Sequence, residues 1–216
     1  MPIINYASKE IQFKVVYYGP ALCGKTTNLA YIHSRIPEAH RGDLVSLATA
    51  ADRTLFFDFL PLNAVILQGF KTKFQLYTVP GQVMYNTTRQ LVLRSVDGVV
   101  FVADSQWEKI ADNVDTFRNL EENLLKQNLL LDDLPYVLQF NKRDLENAAP
   151  AGYLEYLLNN RKRRVPSFEA VANSGHNVFA ALDAVTQLLL HRFNKEHQLL
   201  QPKTKLGGHG EVAGTT

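Results

Sequence analysis

The stretch Ile11–Thr26, IQFKVVYYGPALCGKT, decides the fold. Its first half, Ile11–Tyr18, is rich in β-branched and aromatic residues and predicts a central strand that ends at Gly19. Its second half matches G-x-x-x-x-G-K-[ST] without a mismatch, and Lys25–Ser34 predicts a helix directly after it. Backbone N–H groups in such a strand–loop–helix turn cradle phosphates. The stretch therefore predicts a nucleotide-binding α/β domain in preference to an ordinary turn.

Each residue type in this loop has a chemical reason. Glycine lets the backbone curl around the phosphates, Lys25 brings a positive charge to the β- and γ-phosphates and to catalysis, and the Thr26 hydroxyl is a Mg²⁺ ligand. Cys23 is either a redox-sensitive thiol or a small side chain that fits the loop, and the second interpretation is favoured. The loop residues expected to contact the nucleotide are Gly19, Ala21, Leu22, Cys23, Gly24, Lys25, Thr26 and Thr27.

The rest of the chain alternates strand and helix patterns, which predicts parallel βαβ units with right-handed crossovers. We expect an α/β fold with a mixed six-stranded sheet, one antiparallel strand and helices on both faces. Ile36–Thr54 has no periodicity and is expected to be a long, mobile connection. Strands are predicted at Leu55–Leu60, Lys71–Val79, Val99–Ala103, Tyr136–Phe140 and Phe168–Ala172, with a possible extra edge strand at Ile3–Tyr6, and helices at Thr87–Val96, Asp112–Gln127, Gly152–Asn160 and Val178–Phe193.

Composition sets the class of protein. The 216 residues are 46% hydrophobic and 20% charged, which suits one globular domain, predicted at 1–198, with a disordered tail at 199–216. A net charge of +2 gives no reason to expect nucleic acid as a partner. The single cysteine fits a reducing compartment, and no signal peptide, membrane span or lipidation motif is seen. We expect a cytoplasmic monomer without integral membrane contact.

A second motif selects the base. Asn141-Lys142-Arg143-Asp144 follows a buried strand, at the edge of the sheet where a base would lie. Asp144 can accept two hydrogen bonds from guanine, and adenine lacks both donors, so the motif predicts GTP or GDP and argues against an ATPase or kinase. Asn141 is expected to tether the loops and Lys142 to cover the base with its stem. Backbone contacts to the base are expected from Ala172 and Asn173, after the last strand.

Several motifs together resemble the MglA family of bacterial gliding-motility and cell-polarity GTPases, a branch of the Ras superfamily. The resemblance extends over about residues 1–195. Its most distinctive segment is Thr78-Val79-Pro80-Gly81-Gln82, because most Ras-like proteins have aspartate at the first position. The other segments are Tyr17–Thr27, Asp52–Pro61, Asp97–Ser105 and Asn141–Asp144.

The segment around Gly81 has a physical interpretation of its own: Gly81 lets a backbone N–H approach the γ-phosphate, and Gln82 orients the attacking water. The resemblance implies that Thr54 binds Mg²⁺ and senses the γ-phosphate, and that Arg53 is an arginine finger supplied in cis. The alternative for Arg53 is a solvent-facing side chain paired with Asp52. The resemblance also implies a Roadblock-type activator, such as MglB, and polarity effectors, all acting at the switch regions, with clustering at a cell pole through such partners.

Two positions depart from what is usual and leave two hypotheses open. Thr78 brings no charge to Mg²⁺, so Asp58 or Asp52 would have to compensate. Ala21 stands where family members carry glycine, and its methyl would crowd Gln82 and Arg53. The chain is then either a hydrolysing switch, slow without a partner, or a GTP-locked binding scaffold with negligible turnover.

Two further features receive structural interpretations. The basic run Arg161–Arg164 is interpreted as a solvated helix end in preference to a lipid or nucleic-acid contact. Asp104 ends an apolar strand, and it is not assigned to the metal.

Overall fold

A computed structural model describes residues 2–49, 52–67 and 69–200 of the chain; at 47–49, 52–56, 64–67, 83 and 198–200 it describes the backbone alone. One mixed sheet organises these residues. Its strands are β1 (Ile3–Asn5), β2 (Glu10–Tyr18), β3 (Val45–Thr49), β4 (Asp52–Leu67), β5 (Phe70–Thr78), β6 (Gly98–Asp104), β7 (Tyr136–Asn141) and β8 (Ser167–Glu169).

The sheet has the order β3-β4-β5-β2-β6-β7-β8. From β5 to β8 neighbouring strands are parallel, whereas β3, β4 and β5 pair antiparallel. β1 pairs antiparallel with the start of β2, before β2 meets β6 at Val15. β6 and β7 are buried along their whole length, as expected for parallel strands that are covered on both faces.

Helices cover both faces of the sheet. They are α1 (Lys25–Arg35), α2 (Asn86–Val92), α3 (Ile110–Leu125), α4 (Ala151–Leu158) and α5 (Val178–Leu200). On one face, Leu29 of α1 and Val185 of α5 share a buried cluster with β2. On the other, Leu120 of α3 and Leu154 of α4 pack against β6 and β7. No helix in the described ranges is long and apolar enough to cross a membrane.

The predicted α/β class with a mixed sheet is confirmed, and so are the antiparallel strand and the extra N-terminal edge strand. The number of strands was wrong, because the sheet has eight. Ile36–Thr54 was predicted to be a connection, yet it contains β3 and the first residues of β4. β3 is stabilised by pairing with β4, and that long-range contact leaves no periodic pattern in five residues. The predicted tail lies mostly at 201–216, outside the described residues, and α5 continues to Leu200.

The parallel strands bring five loops to one edge of the sheet. β2, β5, β6, β7 and β8 all end there, at Tyr18, Thr78, Asp104, Asn141 and Glu169. In open α/β sheets, ligands bind outside the carboxyl ends of the strands. The sequence motifs therefore meet although they are far apart in the chain.

Candidate nucleotide-binding site

A cavity of about 170 Å³ opens at this edge of the sheet. Three loops line it: the loop after β2, the loop after β7 and the loop after β8. Eight of its ten lining residues belong to the set predicted from the sequence, and Leu145 and Val171 are additional. The predicted members are Leu22, Gly24, Thr27, Asn141, Lys142, Asp144, Ala172 and Asn173.

Asn141 joins the three loops. Its Nδ2 donates to the Cys23 carbonyl at 2.7 Å, and its Oδ1 accepts from the Ala172 N–H at 2.9 Å. The side chain is buried at the end of β7, so both bonds are shielded from water. Gly24 is required next to it: its φ is +104°, and a Cβ there would lie 2.2 Å from the Asn141 amide nitrogen. The loops that would contact phosphate and base are thus held by one amide.

Lys25 occupies the centre of the loop after β2. It is 6% exposed, and its Nζ donates to the carbonyls of Gly19 at 2.9 Å and Pro20 at 2.6 Å. Burial lowers the pKa of this ammonium, since the charged form is poorly solvated. An ammonium has three donors: two are held by these carbonyls, and the third faces the Cys23 sulfur at 3.7 Å, a weak acceptor that an anion can replace. The arrangement suits a charge aimed at phosphates.

A carboxylate lies beside the start of α1, where the sequence provides Thr26. Asp58 of β4 is 1% exposed, and its Oδ2 accepts from the Thr26 hydroxyl at 2.6 Å and from the Thr78 hydroxyl at 2.9 Å. Its Oδ1 accepts from Ser46 of β3 at 2.5 Å. Hydroxyl and carboxylate oxygens are ligands that suit Mg²⁺, which binds few protein groups and keeps waters and phosphates. The donor set therefore fits the predicted metal.

The sequence predicts two further residues, Asp52 and Thr54, near the metal. The side chains of Asp52 and Thr54 lie outside the described residues, as does that of Arg53, although the backbone of all three runs in β4. In the part of the chain that is described, no group of three or more histidine, cysteine or acidic side chains could hold a metal ion by itself. A cation here would depend on one carboxylate, hydroxyls and a phosphate-bearing ligand.

No protein-family model matches the chain. It is similar to the mutual gliding-motility protein MglA of Myxococcus xanthus (strain DK1622). The two are 52% identical over 195 residues, which cover 90% of this chain and 99% of that protein. The chain belongs to the MglA family.

The MglA-type segment after β5 lies against the phosphate loop. A Cβ at Gly81 would fall 2.3 Å from Ala21 Cα, 2.7 Å from Ala21 N and 3.0 Å from Pro20 O, so only glycine permits this approach. Gln82 follows, half-buried, at the start of a short 3₁₀ turn over Val83–Tyr85. The segment therefore brings Gly81, the residue before Gln82, against the loop after β2, while the Thr78 hydroxyl donates to Asp58.

On the base side of this MglA-family site, Lys142 has a positive φ of 66° and its Nζ lies 2.6 Å from Asp104 Oδ2. Asp104 also accepts from the Gln106 N–H, so this carboxylate binds the base-side loop. Arg143 is bound to the end of β8: its Nε donates to the Glu169 carboxylate at 2.9 Å. Asp144 is exposed at the rim of the cavity.

The contacts of Cys23 and of the basic run Arg161–Arg164 favour structural roles for Cys23 and Arg161. The Cys23 thiol is fully buried, 3.7 Å from Lys25 Nζ, and burial raises its pKa, which disfavours the reactive thiolate. This supports the interpretation of Cys23 as a residue that fits the loop.

Arg161 forms ion pairs with Glu121 and Asp132, so one member of the basic run attaches the chain after α4 to the neighbouring elements.

Sequence reasoning missed Ser46. Its only signal is the strand register, in which Ser46 lies opposite Asp58. Because β3 itself was not predicted, the pair could not be found from the sequence.

Proposed function

We propose that this MglA-family GTPase binds GTP or GDP together with Mg²⁺ and hydrolyses GTP as a switch, slowly unless a partner acts on it. The observation that carries the proposal is the single Asn141 side chain, which joins the phosphate loop to the loop after β8 beside Asp144. A P-loop and a guanine-type loop meeting in one cavity suit a guanosine phosphate better than any other nucleotide.

The residues divide the nucleotide between them. Gly19–Thr27 cradles the phosphates, with Lys25 supplying charge, and Asp144 accepts hydrogen bonds from guanine. Ala172 and Asn173 contact the base through the backbone, and the stem of Lys142 covers it. Thr26 and Thr54 bind Mg²⁺, and Asp58 takes the place of the carboxylate that Thr78 does not provide. The ion, when bound, neutralises charge on the β- and γ-phosphates.

Hydrolysis rests on Gln82 and Arg53. Gln82 orients the attacking water, and Arg53 neutralises charge that develops on the transferred phosphoryl group. The close contact between Gly81 and Ala21 supports this role for Gln82, which is the next residue in the chain. The same contact leaves little space between Gly81 and the loop after β2. Because Gln82 and Arg53 would be crowded there, it favours the second candidate, a GTP-locked scaffold with negligible turnover.

The biological role follows from the family. The Myxococcus relative is named for gliding motility, and we assign this chain to motility or polarity control in the cytoplasm, as a monomer that recruits effectors when GTP is bound. Phe57 and Phe59 of β4 lie half-buried against Tyr77 of β5, and β4 is also the strand that contains Arg53 and Thr54. Such a partly exposed aromatic face suits a Roadblock-type activator, since aromatic residues are enriched at interfaces.

The test is single-turnover release of phosphate from GTP by the purified chain, with and without a Roadblock-type protein from the same genome. A switch gives slow basal release that the partner accelerates. A scaffold binds GTP tightly and releases no phosphate under either condition. Failure to bind guanine nucleotides at all contradicts both candidates.

A further inference from the structure

A buried arginine lies under the segment that carries Gly81. Arg89 of α2 is 1% exposed, and no ion pair compensates its charge among the described side chains. Its Nε donates to the Pro80 carbonyl at 2.9 Å and its Nη2 to the Gly81 carbonyl at 2.5 Å. Burying a charge is costly unless it is hydrogen-bonded, so these two carbonyls are part of what stabilises the guanidinium in this position.

The guanidinium is itself held in place from the core side. Its Nη1 donates to Asn119 Oδ1 of α3 at 2.8 Å, and the same oxygen accepts from the Tyr18 hydroxyl at 2.7 Å. Arg89 also lies over the Tyr18 ring, with Cζ 5.5 Å from its centre. Tyr18 is the last residue of β2, directly before the phosphate loop. Arg89 therefore connects three parts of the site: the loop after β2, α3, and the segment Thr78–Gln82 after β5.

The two carbonyl bonds fix the direction of two N–H groups. In a trans peptide the C=O and the following N–H point to opposite sides. When the Pro80 carbonyl faces Arg89, the Gly81 N–H faces away from it. The Gly81 carbonyl likewise sets the Gln82 N–H. Gly81 lies against Ala21 of the phosphate loop, so these peptide planes have little freedom to rotate.

We propose that Arg89 is a positioning residue for the triphosphate state: by holding the Pro80 and Gly81 carbonyls it presents the Gly81 N–H to the γ-phosphate and sets the starting position of Gln82. This rests on the proposed function. GDP has no γ-phosphate, so the hydrogen bonds of Arg89 to the two carbonyls affect the affinity for GTP and leave the affinity for GDP unchanged.

The test compares the affinities of the full chain for GDP and for β,γ-imido GTP. Arg89→Met keeps the stem and removes the donors to both carbonyls as well as the one to Asn119. We expect it to weaken β,γ-imido GTP binding by about tenfold, the worth of one hydrogen bond to a charged group, with GDP affinity unchanged. Arg89→Lys keeps the charge but not the fork, and its loss is intermediate. Asn119→Leu leaves Arg89 in place but removes its anchor, which gives a smaller loss of the same kind. Arg118→Met, at an exposed arginine of α3, is the matched control and changes neither affinity.

Equal weakening of both nucleotides by Arg89→Met would show a merely structural role and overturn the proposal, as would an unchanged ratio of affinities. If Arg89→Met does not fold, the ratios in Arg89→Lys and Asn119→Leu decide in the same way. A parent chain that binds neither nucleotide defeats the proposed function, whereas a parent that binds both while every variant keeps its ratio defeats only the assignment of Arg89.

Discussion

The base side and the metal side of the site are built differently. On the base side, Asn141 and Asp144 come from one short motif after a fully buried central strand. On the metal side, the Asp58 carboxylate meets hydroxyls from three other elements: Thr26 of α1, Ser46 of β3 and Thr78 of β5. The first arrangement is fixed by the order of residues in the chain, and the second by the register of strands at the edge of the sheet. We accordingly expect the side proposed for the base to vary little, and the corner proposed for Mg²⁺ to change if these strands move.

The largest expected effect concerns the base side. The parent chain should prefer GTP to ATP by about 10⁴-fold, because the bound base would cover the Asp144 carboxylate, and adenine would then leave it desolvated and unpaired. Asp144→Asn should weaken GTP and favour xanthosine triphosphate, whose ring presents an acceptor at that place. Competition titrations with the three nucleotides measure this, with Asp115→Asn on the exposed face of α3 as control. Similar affinities of the parent for ATP and GTP would refute the base assignment.

The second effect concerns Lys25, in the loop after β2, which lies between the sides proposed for the base and for Mg²⁺. Lys25→Ala should lower triphosphate affinity by about 100-fold, since a buried, charge-assisted contact is worth about 2–3 kcal/mol. Lys195→Ala, at an exposed lysine of α5, should leave it unchanged. Titration of a fluorescent GTP analogue distinguishes them, and unaltered binding by Lys25→Ala contradicts the phosphate-loop assignment.

A third prediction concerns catalysis on the metal side. Gln82→Leu should reduce partner-stimulated phosphate release by about 100-fold while GTP affinity stays nearly intact, the pattern of a group that acts in the transition state. Arg53→Ala should behave alike if the finger is in cis. Single-turnover assays decide, and stimulated turnover that survives Arg53→Ala indicates a finger supplied in trans.

A fourth, smaller effect tests the metal corner itself. Asp58→Asn keeps the size of the side chain and removes its charge, so Mg²⁺ should support GTP binding about tenfold less well. Asp43→Asn, at an exposed carboxylate near β3, is the control. The readout is the Mg²⁺ concentration that half-saturates binding of β,γ-imido GTP. An unchanged midpoint in Asp58→Asn would contradict the proposal that Asp58 supplies the negative charge that Thr78 does not bring to Mg²⁺.

The same contrast explains what the sequence could predict. The buried runs of β6 and β7 and the glycine loop after β2 carry their signals locally, and the sequence predicted these two strands within one residue of their bounds. β3 carried no such signal, because a short edge strand is defined by its partner. Asp58 was recognised only as one of two carboxylates near the metal. Its contact with Ser46 depends on pairing between β3 and β4, and its contact with Thr26 depends on the packing of α1 beside β4; no pattern of residues reveals either.

The smallest expected effect concerns Ala21, where the sequence suggested that a methyl would obstruct hydrolysis. The structure places Gly81 against the backbone atoms Cα and N of Ala21, and a glycine would present the same atoms. Removing the methyl therefore leaves the closest contact between switch and loop intact. Ala21→Gly should raise basal phosphate release by less than about tenfold, well below the cost of a misplaced reacting group. The comparison is single-turnover release by Ala21→Gly and by the parent without partner, with GDP affinity measured beside it to show that the loop is unchanged. A much larger gain would mean that the methyl, and not the backbone contact, limits the position of Gln82.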